Sequence, residues 1–430
     1  MKFSNLTVIK IKKLESPFII WIVIGSTLIA NAIEFSILGR NISGWAWVVP
    51  LMISIFIVIR SPSRITFPVL VWAPWICIVV VYLANSGFSY LQRNMQLLCP
   101  IIVGMAASTC QIREIQSKGF LALVRISVYV LFSIVIIKTG LLITGLLPPV
   151  TGLAPQSITA CLLCSIFAVE YSMNRKSSLV PWILGAAIPV IALTRTAITV
   201  AGMTIPFTFA SLKIRKRLIF LTIIAVVGVT VFYTGRVQRK MFYSGQGTIG
   251  DVRIGNPDLF TAGRSHLWDH LEEEIKIKPV WGHGSNASEL FVLSMTWGTL
   301  THPHNDWLRL LYDYGFVGTS VFVFCMIIQI LHLLKGARQA LPECRILIFA
   351  GASSFLPFVL FMFTDNIILY AAFFGNLQFS MLGMAYAAHK TLQVDSQHYY
   401  RTLGIRSPVN TLEKGIGKDR GGSNHFPGGR

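Results

Sequence analysis

The sequence predicts an all-α polytopic membrane protein of about twelve spans, interrupted once by a large extracytoplasmic loop, and three observations carry that prediction. The first is composition: of 430 residues, 53% are hydrophobic and only 13% charged, with a mean hydropathy of +0.63. A water-soluble core could not hide that much apolar surface. The second is the recurrence of apolar runs near the roughly 20 residues that a helix needs to cross hydrocarbon about 30 Å thick. The third is the placement of charge, which alternates from one connection to the next.

The runs lie near 17–35, 44–60, 67–86, 94–110, 122–147, 157–173, 179–194, 197–212, 218–234, 315–334, 345–364 and 367–388. The net charge of +19 is not spread over a soluble face. It sits in the basic start (Lys2, Lys10, Lys12, Lys13), in Arg60 with Arg64, Arg113 with Lys118, Arg175 with Lys176, the cluster from Lys213 to Arg217, Lys335 with Arg338, and the tail. The other short connections carry little beyond Arg40, Arg93 and Arg195, so the positive-inside rule places both termini in the cytoplasm. The basic balance is therefore topology. No basic patch interleaves with aromatics in a soluble segment, which argues against a nucleic-acid partner.

The first run follows a basic start and contains Ala30-Asn31-Ala32, which has the look of a signal-peptide cleavage site, yet the run is long enough to stay as an anchor. Either outcome leaves residue 33 outside. The seven cysteines lie in or beside the runs and none lies in the large loop. Cys161-x-x-Cys164, set in an apolar run, is expected to pack rather than to exchange electrons. Lys138 falls inside the fifth run, where an ionisable group is either functional or snorkelling. The chain thus divides into an N-terminal bundle over 1–234 (about nine spans), the loop over 235–314, a C-terminal bundle over 315–388 (about three spans) and a polar, Gly-rich cytoplasmic tail over 389–430 that is expected to be disordered.

The stretch from Gly235 to Tyr314 is too long for a plain connection and too rich in tryptophan for a disordered one, holding Trp268, Trp281, Trp297 and Trp307. Leu267, Trp268, Leu271 and Ile275 recur at helical spacing opposite Asp269 and Glu272 to Glu274, which predicts an amphipathic helix. A second helix is expected to begin near Pro303 and to stop at Gly315, with His304, Leu308, Leu311 and Tyr312 on the face that rests on the bundle mouth.

Five of the nine histidines are in this loop (His266, His270, His283, His302 and His304), together with Arg253, Arg264 and Arg309. Histidine suits proton transfer near neutral pH, and the forked donors of arginine match a diphosphate. Solvated surface residues are the plainer explanation for any one of them. His266 and His270 share one helical face at i, i+4, as metal ligands do, but no Glu follows His266 as in the zinc protease motif and no third ligand suggests itself. No metal is expected.

Three motifs stand in order. Leu193-Thr194-Arg195-Thr196-Ala197 lies between two apolar runs. Ala262-Gly263-Arg264-Ser265-His266-Leu267-Trp268 is followed by Lys278-Pro279-Val280-Trp281-Gly282-His283-Gly284. The stretch from Thr301 to Gly318 contains His304-Asn305-Asp306-Trp307-Leu308 and Tyr312-Asp313-Tyr314-Gly315. The last resembles the His-Asn-x-x-Leu, acidic-x-Gly segment of the O-antigen ligase and O-antigen polymerase superfamily. The second resembles the Gly-Arg-x-x-x-Trp and Pro-x-x-Gly-x-Gly pair of the same family, and the first sits where that family shows Ser-Arg-Gly. The resemblance covers roughly residues 180 to 385. Thr194 and Thr196 flank the first Arg, and Asp313 stands where Glu is more usual. Neither departure removes a charge, although Thr in place of Gly alters how closely the backbone can approach a phosphate.

What the resemblance implies is a lipid-dependent glycosyltransferase fold of the GT-C type in the bacterial cytoplasmic (inner) membrane. Such an enzyme moves a glycan from a polyprenyl diphosphate carrier to an acceptor sugar outside the membrane, by an inverting, metal-independent reaction without a cofactor. Carried over by motif, Arg195 and Arg264 bind the diphosphate, and His304 activates or orients the acceptor hydroxyl with Asn305 as its support. Arg309 joins them as a substrate-binding candidate from the same loop. Arg93, at the head of the fourth run, and Asp365, with Asn366 at the turn between the last two, are further candidates for binding substrate. The implied partners are the polyprenyl-diphosphate-linked oligosaccharide donor, a growing glycan or lipid A core as acceptor, membrane lipid and a chain-length regulator.

Polymerase and ligase differ only in the acceptor, and the expectation leans to an O-antigen or exopolysaccharide polymerase because no feature commits the chain to lipid A core. A transporter or flippase is the alternative of another class. Transporters bring ionisable residues to the midplane, whereas here the polar groups gather in one loop. A sensor or scaffold is disfavoured by the short cytoplasmic segments.

Overall fold

The computed structural model describes residues 17–388 apart from 34–35, 38–39, 42–44, 87–89, 147–151, 254–255, 257, 261–263, 338–339 and 341. The basic start, Ala262 with Gly263, Arg338 and the tail lie outside the described residues. The rest is almost wholly helical. Its one ribbon is the antiparallel pairing of Ser36–Ile37 with Arg40–Asn41.

The helices in order are α1 (Phe18–Ala32), α2 (Val48–Arg60), α3 (Val69–Ser86), α4 (Leu91–Ala107), α5 (Glu114–Ile143), α6 (Ala154–Ser172), α7 (Leu179–Ile191), α8 (Arg195–Met203), α9 (Ile214–Phe232) and α10 (Gly235–Met241), then α11 (Arg264–Ile277), α12 (Ala287–Met295), α13 (Asp306–Ala337), α14 (Pro342–Ser353) and α15 (Phe355–Phe361). A last helix, α16, runs over 376–388. Each of the twelve apolar runs contains helix. Among the described residues, α5, α6, α13 and the run Cys344–Phe361 are long and apolar enough to cross a membrane unaided. The pair α9 and α10, bent by 77°, makes a fifth if counted as one, and the apolar parts of α1, α2, α3 and α7 are shorter. This is the architecture of an integral membrane protein with several apolar helices.

Two helices form the centre. Every residue of α6 from Gln156 to Glu170 is buried, and so is every residue of α16. A helix apolar all round and buried all round meets protein on every side rather than lipid. α16 reaches that position by close backbone approach: a Cβ on Gly383 would stand 2.2 Å from the Gly104 carbonyl of α4, a small-residue crossing of the kind that packs helices in membranes. α1 also belongs to the core, with Ile19, Ile20 and Val23 at most 1% exposed. Asn31 is tied to Thr159 of α6 at 3.1 Å. α9 is the opposite case, with no buried residue, an apolar rod on the rim. Lys138 is buried in α5.

One expected span is not continuous. Over 197–212 helix persists only to Met203, and nine residues of helix in α8 cover roughly half the hydrocarbon thickness. Beyond it, Pro206 cannot extend the hydrogen-bond ladder. The Arg217 guanidinium collects the carbonyls of Pro206, Thr208 and Ala210 at 3.0, 3.1 and 3.2 Å. Irregular backbone at this depth needs such internal partners, and an arginine charged to topology by its position supplies them.

The loop is a small folded unit on the bundle. α11 buries Leu267 and Leu271 against Val292 and Tyr312, with Trp268 and Ile275 alongside, as its periodicity predicted. The second helix departs from expectation at both ends. It begins at Asp306 rather than near Pro303, because the Asn305 side chain caps it, accepting from Trp307 and Leu308 N–H at 3.1 and 3.2 Å. It bends rather than stops at Gly315 (φ 65°, ψ −169°) and continues to Ala337. α12 between them was not foreseen.

That bend is the point where two motifs lock. Phe316 N and Val317 N donate to the carbonyls of Pro279 and Val280 at 2.7 and 3.1 Å, while His283 N and Gly284 N donate to Tyr312 and Asp313 at 2.8 and 3.0 Å. A Cβ on Gly315 would stand 2.3 Å from the Val280 carbonyl, and one on Gly282 would stand 2.5 Å from Gly315 N. The Pro-x-x-Gly and acidic-x-Gly motifs are therefore one backbone knot that pins the loop to the top of α13.

Candidate functional site

Four separate segments bring polar side chains to one place at the loop–bundle junction. Arg195 opens α8 and Arg264 opens α11, so each sits where orphan N–H groups and the helix dipole favour negative charge. Arg264 Nη1 donates to the Thr364 carbonyl at 3.3 Å, and the Thr364 hydroxyl donates to Thr196 Oγ1, beside Arg195, at 2.9 Å. The two arginines that motif position suggested are thus joined through the turn at Thr364. Burial, and after it the like charge of Arg264, pushes the Arg195 pKa down. The Arg195 Nη2 partner is a carbonyl, Phe260 O at 3.3 Å.

His304 sits in the turn before α13 rather than on its face, in the left-handed region at φ 52°. Such a conformation is costly for a residue with a Cβ and is held here by its surroundings. Its N–H donates to Asn366 Oδ1 at 3.1 Å, and its ring Nδ1 lies 3.2 Å from Asn366 Nδ2. The first bond orients the amide, so Nδ2 donates to Nδ1 and the neutral imidazole carries its proton on Nε2. Asp365 Oδ1 lies 3.7 Å from the same Nδ1, and it accepts from the Tyr370 hydroxyl at 3.0 Å and from Asn366 N at 2.9 Å. From behind, the motif tryptophan Trp268 donates Nε1–H to the Pro303 carbonyl at 2.7 Å, fixing the turn that displays His304. Asp306 adds a second anchor, accepting from Ile368 N at 2.8 Å.

The other candidates are held elsewhere. Arg93 is clamped by both oxygens of Glu289, at 3.1 and 3.2 Å, and reaches Gln96 at 3.3 Å. Arg309 is buried, 3% exposed. It donates to Asn286 Oδ1 at 2.7 Å and pairs with Asp313 Oδ2 at 3.6 Å. Asp313 Oδ1 in turn accepts from Ser288 N at the start of α12, at 2.7 Å. Asn305 is engaged in capping α13. These residues build the loop, and nothing brings them to the arginine pair. His302 shares their neighbourhood. Burial, then the charges of Arg309 and Arg93 and the neighbouring His304, push its pKa down to about 3. The 3.9 Å approach of His302 Nδ1 to Glu289 is therefore no ion pair, since Arg93 already holds that carboxylate. His266 and His270 stand side by side with ring centroids 4.5 Å apart. Among the described residues no group of three His, Cys, Asp or Glu is placed to hold a metal.

Asn366, expected with Asp365 to bind substrate, instead faces His304 and sets its tautomer. One residue escapes the sequence reading: the Lys240 ammonium donates to the Leu193 carbonyl at 2.8 Å, two residues from Arg195. Its signal was present in the charge pattern, because Arg236, Arg239 and Lys240 follow the ninth run on the side where lysine and arginine are otherwise scarce.

Apolar helices around a polar junction that displays two arginines and an oriented histidine are the features of a membrane protein with polar chemistry at one end of its bundle. Residues 180–323, a third of the chain, match the family model described as O-antigen ligase, the superfamily that the three motifs resemble. That match supports a glycan-transferring activity in general. No curated protein matches it.

Proposed function

We propose that the chain transfers a polyprenyl-diphosphate-linked glycan onto an acceptor sugar at the extracytoplasmic face, as an O-antigen or exopolysaccharide polymerase. The observation that carries this reading is the convergence, around Thr364, of Arg195, Arg264 and the His304–Asn366–Asp365 group. In the inverting reaction the acceptor hydroxyl oxygen bonds to the anomeric carbon as the bond to the carrier oxygen breaks. The electron pair leaves with the polyprenyl diphosphate. Arg195 and Arg264 hold that diphosphate and stabilise the charge it gains, so the step needs no metal. His304, with its proton on Nε2, orients the acceptor, and Asp365 beside it is placed to receive the hydroxyl proton.

In this reading the loop lies outside and both termini lie in the cytoplasm, which sets the site where the carrier's diphosphate meets water. A GT-C type fold fits this layout. In this reading Arg93, Arg309 and Asn305 serve the site by holding the loop rather than by touching substrate.

The test is transfer by Arg264→Ala and His304→Ala variants in membranes containing a polyprenyl-diphosphate-linked oligosaccharide. Transfer is expected to fall by at least about a hundredfold, the scale of losing one electrostatic catalytic group, while insertion and protein level stay normal. Full transfer by both variants overturns the assignment. Elongation with the donor alone identifies a polymerase, whereas a requirement for added lipid A core identifies a ligase. Activity is expected to persist in excess chelator. Solute uptake into vesicles lacking any carrier-linked glycan would instead mark a transporter.

A further inference from the structure

The cations at the junction number three rather than two, and all three are turned toward carbonyls instead of carboxylates. Arg195 donates to Phe260 O, Arg264 to Thr364 O and Lys240 to Leu193 O. Among the described residues none of the three forms an ion pair. Elsewhere at the junction of loop and bundle the same residue type finds acids, Arg93 of α4 with Glu289 and Arg309 with Asp313.

The chain is shaped to hold Lys240 there. α10 breaks away from α9 by 77°. Its end is tied to the segment that receives Arg195, since Phe260 N donates to Met241 O at 2.7 Å and Tyr243 N to Asp258 O at 2.8 Å. Leu193, whose carbonyl Lys240 meets, stands in the left-handed region at φ 51°, a rare and strained state for such a residue. The ammonium also feels the charge of Arg195, after burial, as a downward push on its pKa. Two of the three charges, Arg195 and Lys240, lie on or beside these strained or bent segments, and the repulsion among the three is relieved around a polyanion.

We infer that Lys240 completes a three-cation cradle for a diphosphate monoester, Arg195 and Arg264 holding one phosphate and Lys240 reading the second. The inference rests on the diphosphate reading of Arg195 and Arg264. Lys240 is a point charge on a flexible stem and suits the more exposed, terminal side of the ligand. Its consequence is selectivity for a diphosphate over a monophosphate, and retention of the carrier diphosphate after the glycan has left.

The experiment measures binding to the full chain in zwitterionic nanodiscs, using farnesyl diphosphate, farnesyl monophosphate and inorganic pyrophosphate as probes. Lys240→Gln is expected to weaken farnesyl diphosphate binding about tenfold, the scale of one charge-assisted hydrogen bond, with little change for the monophosphate. Lys240→Arg should restore most of the loss. Arg239→Gln, which removes the same charge from the same short helix, should bind as the wild type does. Stronger binding of farnesyl diphosphate than of pyrophosphate assigns the cradle to a lipid-borne ligand, and equal binding would overturn that assignment. An equal loss in Arg239→Gln would reduce the effect to bulk charge and overturn the proposal. If Arg195→Gln and Arg264→Gln lose binding and Lys240→Gln does not, Lys240 alone falls. If none of the three changes binding, the diphosphate reading itself falls.

Discussion

The junction of loop and bundle carries two polar clusters built from the same residue types, and they differ in one respect, the whereabouts of the counter-charge. In the first, Arg93 meets Glu289 and Arg309 meets Asp313, within a knot of backbone hydrogen bonds and two glycines that tolerate no side chain. In the second, Arg195, Arg264 and Lys240 meet carbonyls and, among the described residues, no acid. A buried charge stripped of its partner is strongly destabilising, whereas like charges held together without acids cost stability that a bound anion restores. The difference separates arginines held by acids from those that the proposed function gives to substrate, although all of them look alike in a list of charged residues.

The comparison breaks most visibly at the knot. Gly315→Val places a side chain 2.3 Å from a carbonyl at a positive φ, and the expected outcome is loss of folded protein from the membrane fraction, measured by detergent-resistant thermal unfolding. A Gly315→Val protein that unfolds like the wild type would show that the two motifs do not lock as described.

A smaller effect is expected where the structural side supports the chemical one. Trp268→Phe keeps the packing of α11 and deletes the bond to Pro303 that holds the His304 turn. Such a bond contributes about 1 kcal/mol, so stability should change little, while kcat falls about tenfold with KM for the donor nearly constant. A change confined to KM would assign Trp268 to binding instead.

A pH dependence carried by His302 belongs to the paired cluster. Burial and neighbouring cations hold the folded-state pKa of His302 at about 3, against 6.5 for the free side chain. Between those values the unfolded chain takes up a proton and the folded chain does not, so the contribution of His302 is flat above about pH 6.5 and falls as the pH drops below it, while Asp306 and Asp313, raised by burial to about 7 and about 6, contribute in the opposite sense. At pH 5 the His302 contribution should be lower by about 2 kcal/mol, so the Tm of His302→Asn should gain on that of the wild type as the pH is lowered from 6.5 to 5. A constant difference would place the acid sensitivity in another group.

Much of this architecture is legible in the chain because one-dimensional signals suffice for it. The apolar runs mark the helices, the period of Leu267, Leu271 and Ile275 marks α11, and ordered motifs mark Arg264 and His304. What stays hidden depends on partners distant in sequence. The break after Met203 is stabilised by Arg217, whose position otherwise reads as topology. Asn305 looks like a site residue and is a helix cap, because capping and substrate contact use the same amide. Arg309 looks like a phosphate binder and is paired four residues on with Asp313. Lys240 was passed over because a lysine after a span is usually an interfacial charge, and only the fold shows that its helix turns back toward Arg195.

The most direct test of the account is a side-by-side measurement of thermal stability and glycan transfer for Arg195→Gln and Asp313→Ala. Removing Arg195 relieves repulsion and removes a diphosphate ligand, so Tm should hold or rise while transfer falls by at least about a hundredfold. Removing Asp313 leaves Arg309 buried without its carboxylate, so the protein should lose about 3–5 kcal/mol of stability, with the activity of the surviving folded fraction retained. If instead Arg195→Gln is destabilised and active, or Asp313→Ala is stable and inactive, the division of the junction into a structural and a chemical cluster is wrong.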